Sequence, residues 1–184
     1  MVKKILRKKS KVAQVWVETA IYTLIGLTII AIVMSVATPQ IEKMKEKAII
    51  GQTLEAMNHL NNEIIKVSQV VGNVKKISFK LTKGKLEINS SENKLTYVLE
   101  NTRLEFSENG TEIKEGDVYF LTKQYGKNFN VFMELRYEDT LNITYNGEKK
   151  DMVLHGGGSA YQILIENVGD SSFDQKTHID IRVI

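Results

Sequence analysis

The feature that most constrains this chain is a long apolar run near its N-terminus. No residue from Thr19 to Gln40 carries a formal charge, and most side chains in the run are aliphatic. A helix needs roughly 20 apolar residues to cross the core of a bilayer, and the apolar core of a cleaved signal peptide is typically shorter. The run therefore predicts a membrane-spanning helix, and it disfavours the alternative of a helix buried in a soluble core.

A basic leader precedes the apolar run and predicts its orientation. Six positive charges and no acidic residue stand before residue 13: Lys3, Lys4, Arg7, Lys8, Lys9 and Lys11. By the positive-inside rule, the N-terminus stays in the cytoplasm and residues after about 40 lie outside the membrane. The net charge of the whole chain is +3, so the remainder is net acidic. The basic character belongs to the leader, and we predict no nucleic-acid partner.

The composition excludes several classes of site. The chain of 184 residues has no cysteine, which rules out a disulfide scaffold, a thiolate zinc site and a cysteine nucleophile. The histidines are scattered, at His59, His155 and His178. Asp170, Asp174 and Asp180 lack the spacing and the glycine of a calcium loop. We predict no metal, no cofactor and no enzymatic activity.

A carboxylate stands where the apolar run begins. Glu18 follows the leader, which ends at Ala13, and the residues QVWV that start at Gln14. A short basic leader, a small residue and a glutamate at the fifth position of a long apolar helix resemble the class III signal peptide of type IV pilins. The string QVWVETAIYTLIGL looks like the start of an archaeal type IV pilin. It departs from the bacterial pattern, which has Gly before the cut and Phe after it.

The resemblance implies a structural role and a set of partners. A prepilin peptidase would cut between Ala13 and Gln14 of a precursor held in the lipid bilayer. A pilus assembly ATPase and a membrane platform protein would then build a filament of copies of the chain. Such an extracellular filament would serve adhesion. The alternative is an uncleaved single-pass membrane protein whose β ectodomain binds a ligand or a partner.

After cleavage, Glu18 would be close to a newly formed positive charge. The new α-ammonium of Gln14 would lie at the start of a helix, where a positive charge opposes the macrodipole. Glu18 is one helical turn further on and can neutralise that amine. In a filament it can instead meet the amine of a neighbouring copy and set the axial register between the two.

Periodicity predicts the rest of the architecture. Helical spacing of apolar residues continues past Pro39, at Ile41, Met44, Ala48, Met57, Leu60, Ile64, Val67 and Val71. From residue 72 the period is two, with tight-turn signatures at Asn109-Gly110 and Asn146-Gly147. We predict an α+β chain with a leader (1–13), a transmembrane and stalk helix (14–71) and an antiparallel β head (72–184), a sandwich or small barrel. The head is expected to fold without the helix.

About nine or ten short strands are expected in this head. They lie around Ile77–Leu81, Leu86–Ile88, Leu95–Leu99, Leu104–Phe106, Val118–Leu121, Val131–Tyr137, Leu141–Tyr145, Met152–Leu154, Tyr161–Ile165 and Ile179–Val183. The Gly156–Gly158 run lacks the Lys-Ser/Thr and the helix of a phosphate loop, and it predicts a flexible connection.

Three N-x-S/T sequons on the outer side make Asn89, Asn109 and Asn142 candidate glycosylation sites. Asn109, in a predicted turn, is the best acceptor of the three.

Overall fold

The computed structural model describes residues 3–170 and 176–184, with side chains described from Gln14 onward. One helix, α1, spans Lys3–Ser68. Ten strands follow: β1 Val74–Lys80, β2 Lys85–Asn89, β3 Lys94–Thr102, β4 Glu112–Glu115, β5 Val118–Tyr125, β6 Asn128–Arg136, β7 Leu141–Tyr145, β8 Met152–His155, β9 Ala160–Asp170 and β10 Thr177–Val183. The predicted α+β class, a long N-terminal helix followed by a β head, is confirmed.

The strands form two sheets. One has four strands in the order β1-β9-β10-β7, and the other has six in the order β4-β5-β6-β3-β2-β8. Neighbouring strands are antiparallel except β7 and β10, which run parallel. Within the described strands both sheets have two free ends, so the head is built from two open sheets rather than a closed barrel.

Contacts divide the chain at a different place from the predicted boundary at residue 72. One compact unit ends at Glu42, and the other comprises Lys43–Ile184. The second unit includes the last turns of α1 because they supply side chains to its core. Five of these are at most 1% exposed: Ile50, Met57, Leu60, Ile64 and Val67. Spacings of three, four and seven place them on one face of the helix.

The core of this second unit is one cluster shared by α1 and both sheets. Strand burial follows the pleat, as in β2, where Leu86 and Ile88 are buried between half-buried neighbours.

One predicted strand is wrong. Residues 103–106 form a loop, and their apolar pattern arises because Phe106 stacks on Phe120 with ring centroids 4.6 Å apart. In its place β4 forms at a sheet end, with every side chain exposed.

Asn167 of β9 caps the C-terminal end of α1. Its Nδ2 donates to the carbonyl oxygens of Val67 and Ser68 at 3.2 and 3.0 Å. The backbone carbonyl oxygen of Asn167 accepts a hydrogen bond from Gly72 N at 2.8 Å. Gly72 has a φ of 77°, a conformation that favours glycine. The last carbonyls of a helix lack partners within the helix, so this side chain ties the helix end to the four-stranded sheet.

The first residue of the triple-glycine run is packed, whereas Gly157 and Gly158 are exposed. Gly156 N donates to the carbonyl of Gly84 at 2.7 Å. A Cβ on Gly156 would lie 2.8 Å from backbone atoms of Lys83, whereas one on Gly157 would meet no atom within 4 Å. The hydroxyl of Tyr97 donates to the carbonyl of Lys83 at 2.7 Å. The turn that carries Lys83 is therefore held from two sides.

Candidate functional site

The apolar part of α1 presents its side chains outward all round. Every side chain from Gln14 to Val36 is exposed, with Trp16 at 76% and Tyr22 at 73%. A monomeric soluble protein rarely exposes an apolar surface of this extent. This part of the helix therefore requires a lipid environment or apolar partner surfaces.

The serine and threonine hydroxyls within the segment are satisfied by the helix itself. Thr19, Thr23 and Thr28 each donate to the carbonyl oxygen four residues earlier, at 2.7–2.9 Å. Ser35 donates to the carbonyl of Ile32 at 2.7 Å, and Thr38 to that of Met34 at 2.8 Å. In a bilayer core no water can serve as partner. These internal bonds make the segment compatible with lipid despite its hydroxyls.

α1 is long and apolar enough to cross a membrane, and within the described residues it is the one helix that meets this criterion. Its most hydrophobic window has a mean hydropathy of 2.3 and none of it is buried. The predicted transmembrane character is thus compatible with the structure. Burial in a soluble core, the alternative for such a helix, does not apply to this window.

The predicted assembly residues contact each other at the start of this segment. Gln14 Nε2 donates to Glu18 Oε1 at 3.1 Å, and both side chains are exposed. Ala13, the residue before the predicted cut, lies in the backbone of α1. The contact spans one helical turn, the separation at which side chains meet on a helix surface. The Glu18 carboxylate is therefore positioned beside the residue that would become the N-terminus.

The three sequons differ in accessibility. Asn109 is exposed in the turn before β4, and its Oδ1 accepts a hydrogen bond from Gln124 N at 2.8 Å. Asn89 is half-buried, and its Oδ1 accepts from Glu92 N and Ser91 Oγ, both at 2.8 Å. Asn142 is only 7% exposed within β7, so a glycan on its side chain would not fit the folded head. The candidates reduce to Asn89 and Asn109.

One polar cluster has the residue types of a catalytic triad without the required hydrogen bonds. Thr144 Oγ1 donates to Asp180 Oδ1 at 2.8 Å and lies 2.8 Å from His178 Nε2. Since the hydroxyl proton goes to the carboxylate, the imidazole nitrogen donates to the hydroxyl and cannot act as its base. Thr144 is also only 4% exposed. The cluster ties β7 to β10.

Other candidate ligands do not converge. Among the described residues, no three His, Asp or Glu side chains come together as a metal site would require. Asp170 and Asp180 belong to different strands, and Asp174 lies outside the described residues.

Sequence reasoning missed a buried carboxylate on the part of α1 that belongs to the head. Glu46 is 8% exposed. Its Oε2 accepts hydrogen bonds from Thr102 Oγ1 at 2.6 Å and Arg103 N at 2.9 Å, and its Oε1 lies 3.3 Å from Lys83 Nζ. Burial acts to raise the pKa of Glu46, but these hydrogen bonds and the Lys83 charge outweigh it and hold the pKa below its ordinary value. Glu46 thus fastens the helix to β3 and to the turn after β1.

Glu46→Gln is expected to lower the free energy of unfolding by about 2 kcal/mol at neutral pH, because it removes a charged acceptor from three donors. The folded-state pKa lies below the unfolded-state value of about 4.3. The carboxylate therefore contributes its full stability above that value and loses it as the pH falls through the folded-state pKa. Denaturant titrations at pH 7 and at about pH 3 should show the difference from the parent shrinking in acid. Glu55→Gln, at an exposed position of the same helix, is the control; a constant difference at both pH values would contradict this account.

A cleft of about 360 Å³ lies between α1 and the end of the six-stranded sheet. Asn61, Asp117 and Tyr119 contribute polar and aromatic groups to its wall. The guanidinium of Arg136 lies 4.3 Å and the Lys114 ammonium 4.9 Å from the Tyr119 ring centroid. Arg136 pairs with Glu112 and Glu134, and Asp117 accepts a hydrogen bond from Asn61, so the cleft offers a shaped surface rather than a reactive centre.

Comparison with protein-family models, with curated proteins and with solved structures gives no match to this chain.

Proposed function

We propose that this chain is a structural subunit of an archaeal type IV pilus-like surface filament. The observation that carries the proposal is the exposed apolar segment of α1, whose carboxylate Glu18 sits one turn from Gln14, directly after a basic leader. A helix exposed on all sides is suited to two successive environments. It can lie in lipid as a precursor and then pack among equal helices in a filament core.

In this proposal the chain has no catalytic role. Its precursor is a single-pass membrane protein with the N-terminus in the cytoplasm, and a prepilin peptidase removes residues 1–13. An assembly ATPase and a membrane platform protein then add the subunit to the filament. The β head lies outside the cell, where it contacts surfaces and can carry glycans on Asn89 or Asn109.

The mature protein is expected to begin at Gln14, either with a free amine or cyclised to pyroglutamate. The reason is the small residue Ala13 before the cut and the fifth-position glutamate after it. An intact-mass measurement on the protein from the cells that make it decides the matter. A mass that still includes residues 1–13 would remove the main support for the filament.

A second candidate is favoured by the cleft beside Tyr119. In that case the chain is an uncleaved single-pass membrane protein whose head binds a ligand or partner there. The same mass measurement separates the two, because only the filament subunit loses its leader. Retention of residues 1–13 would direct the next experiments to ligand binding at the cleft.

A further inference from the structure

Each sheet of the head ends in a strand with a free edge. β1 pairs only with β9, and β4 only with β5, among the strands that the structure describes. All four side chains of β4 are exposed, and in β1 only Ile77 and Phe79 are buried. The outer edges therefore present unpaired backbone N–H and C=O groups, which are able to pair with a strand from another chain.

The β1 edge is basic. β1 carries three lysines and no acidic residue, namely Lys75, Lys76 and Lys80, and Lys83 and Lys85 follow in the next turn and in β2. Lys83 and Lys85 pair with carboxylates of the head, and Lys75 shares Glu63 with Lys66. Lys76 and Lys80 are exposed and make no ion pair within the described chain. A surplus of positive charge thus runs along this edge.

The β4 edge is acidic. β4 itself carries Glu112, Glu115 and Lys114, and the loops on either side add Glu105, Glu108 and Asp117 without another cation after Arg103. Glu112 pairs with Arg136. Glu108 and Glu115 are exposed and make no ion pair within the part of the chain that the structure describes. The β1 and β4 edges, two of the four edges that the described strands leave free, therefore carry opposite charge.

These edges lie on opposite sides of α1. Lys75 Nζ, at the start of β1, is 3.8 Å from Glu63 Oε2. Asn61 Nδ2 donates at 2.9 Å to Asp117 Oδ2, in the turn between β4 and β5. Positions i and i+2 of a helix point about 200° apart. The start of β1 and the turn after β4 therefore contact opposite faces of α1, which keeps the two strands apart within one chain.

We propose that the β1 edge of one copy of this chain pairs with the β4 edge of the next. The inference deepens the proposed filament function and rests on it. Two different edges in contact make a heterologous interface, the type that generates open helical assemblies. Opposite charges select this pairing, whereas two β1 edges or two β4 edges would bring like charges together. Strand addition would also satisfy the free backbone groups of both edges.

Cysteine cross-linking tests this contact directly, because the chain has no cysteine of its own. Ser78→Cys, in the middle of β1, is combined in one full-length chain with Ile113→Cys or with Lys114→Cys. The two β4 positions lie on opposite faces of the strand, so both possible faces of the contact are sampled. After air oxidation of filaments and of membranes, at least one double variant should give a ladder of disulfide-linked multimers, and each single variant should give none.

Charge reversal tests the selection between edges. Lys76→Glu with Lys80→Glu should reduce filament number about tenfold, the effect of about 1.4 kcal/mol at the contact. Adding Glu108→Lys and Glu115→Lys to the same chain should restore it, because the edges again carry opposite charge. Lys149→Glu with Lys150→Glu changes the net charge of the chain equally, at exposed positions of the loop between β7 and β8, and should have no effect.

The outcomes separate this inference from the proposed function. Filaments that form without any double-variant ladder would overturn the edge contact and leave the filament proposal standing. Dimers of Ser78→Cys alone would also overturn it, since they require two β1 edges in contact. A ladder in membranes that contain no filaments would support the contact and contradict the filament. Unchanged filament number after reversal of Lys76 and Lys80 would refute the electrostatic selection.

Discussion

A fragment that begins at residue 72 is expected to be unfolded in solution, whereas one that begins at Lys43 is expected to fold cooperatively. The shorter fragment lacks the five core side chains of α1, which are at most 1% exposed in the whole chain. Each fully buried aliphatic side chain contributes about 1.5–3 kcal/mol. Together they supply about 10 kcal/mol, as much as the net stability of a typical domain. This expectation reverses the one drawn from sequence periodicity alone.

Circular dichroism and denaturant titration of the two fragments provide the measurement. The Lys43 fragment should show one transition with both helical and strand signal. The fragment from residue 72 should lack a cooperative transition and should bind a hydrophobic dye. A cooperative transition in the shorter fragment would mean that the sheets close over the helix site without α1, contrary to the shared core.

Glu18→Gln is expected to reduce filament number by more than about tenfold while leaving cleavage and head folding intact. In a dry filament core an unpaired charge costs several kcal/mol, and about 1.4 kcal/mol is a factor of ten. Without the carboxylate, the amine of Gln14 has no anionic partner among its neighbours in the apolar segment, since no other acidic residue lies between Gln14 and Gln40. The amide keeps the shape of the side chain and removes only its charge.

Electron microscopy of cells that make only the variant gives the filament count, and mass spectrometry gives the N-terminus. Tyr22→Phe removes a polar group from the same exposed helix without touching its charge, and it serves as the control. If Glu18→Gln cells carry filaments in normal number, the carboxylate has no part in assembly. Cyclisation of Gln14 would itself delete the amine, and the variant would then be expected to behave like the parent.

Local patterns were sufficient for most of the architecture. The charge-free run and the three-and-four spacing predict the end of α1 to within three residues of Ser68, although the helix begins at Lys3 rather than at the predicted residue 14. The Asn146-Gly147 turn is confirmed: both residues have positive φ, and Tyr145 and Glu148 exchange backbone hydrogen bonds across it. These features depend on neighbours in sequence, which is why the sequence reveals them.

The features that were missed depend on partners far apart in the chain. Glu46 meets Thr102 across 56 positions, and Asn167 meets Ser68 across 99. Neither a glutamate on a helix nor an asparagine in a strand carries a local mark of such a partner. β4 was missed for another reason. Its side chains are all exposed, so the strand forms by pairing with β5 and has no hydrophobic alternation.

The strand order of the four-stranded sheet determines how late in synthesis the head can close. β1 is the first strand to be synthesised, yet its only described neighbour is β9, which begins at Ala160. The carbonyl groups at the end of α1 likewise have no side-chain donor until Asn167 has been synthesised. A chain that enters the membrane by its N-terminal helix must therefore carry β1 and the apolar face of that helix uncovered until nearly all of it has been translated. The head is therefore expected to close late, once β9 has been synthesised, and in the proposed single-pass precursor only after β9 has crossed the membrane.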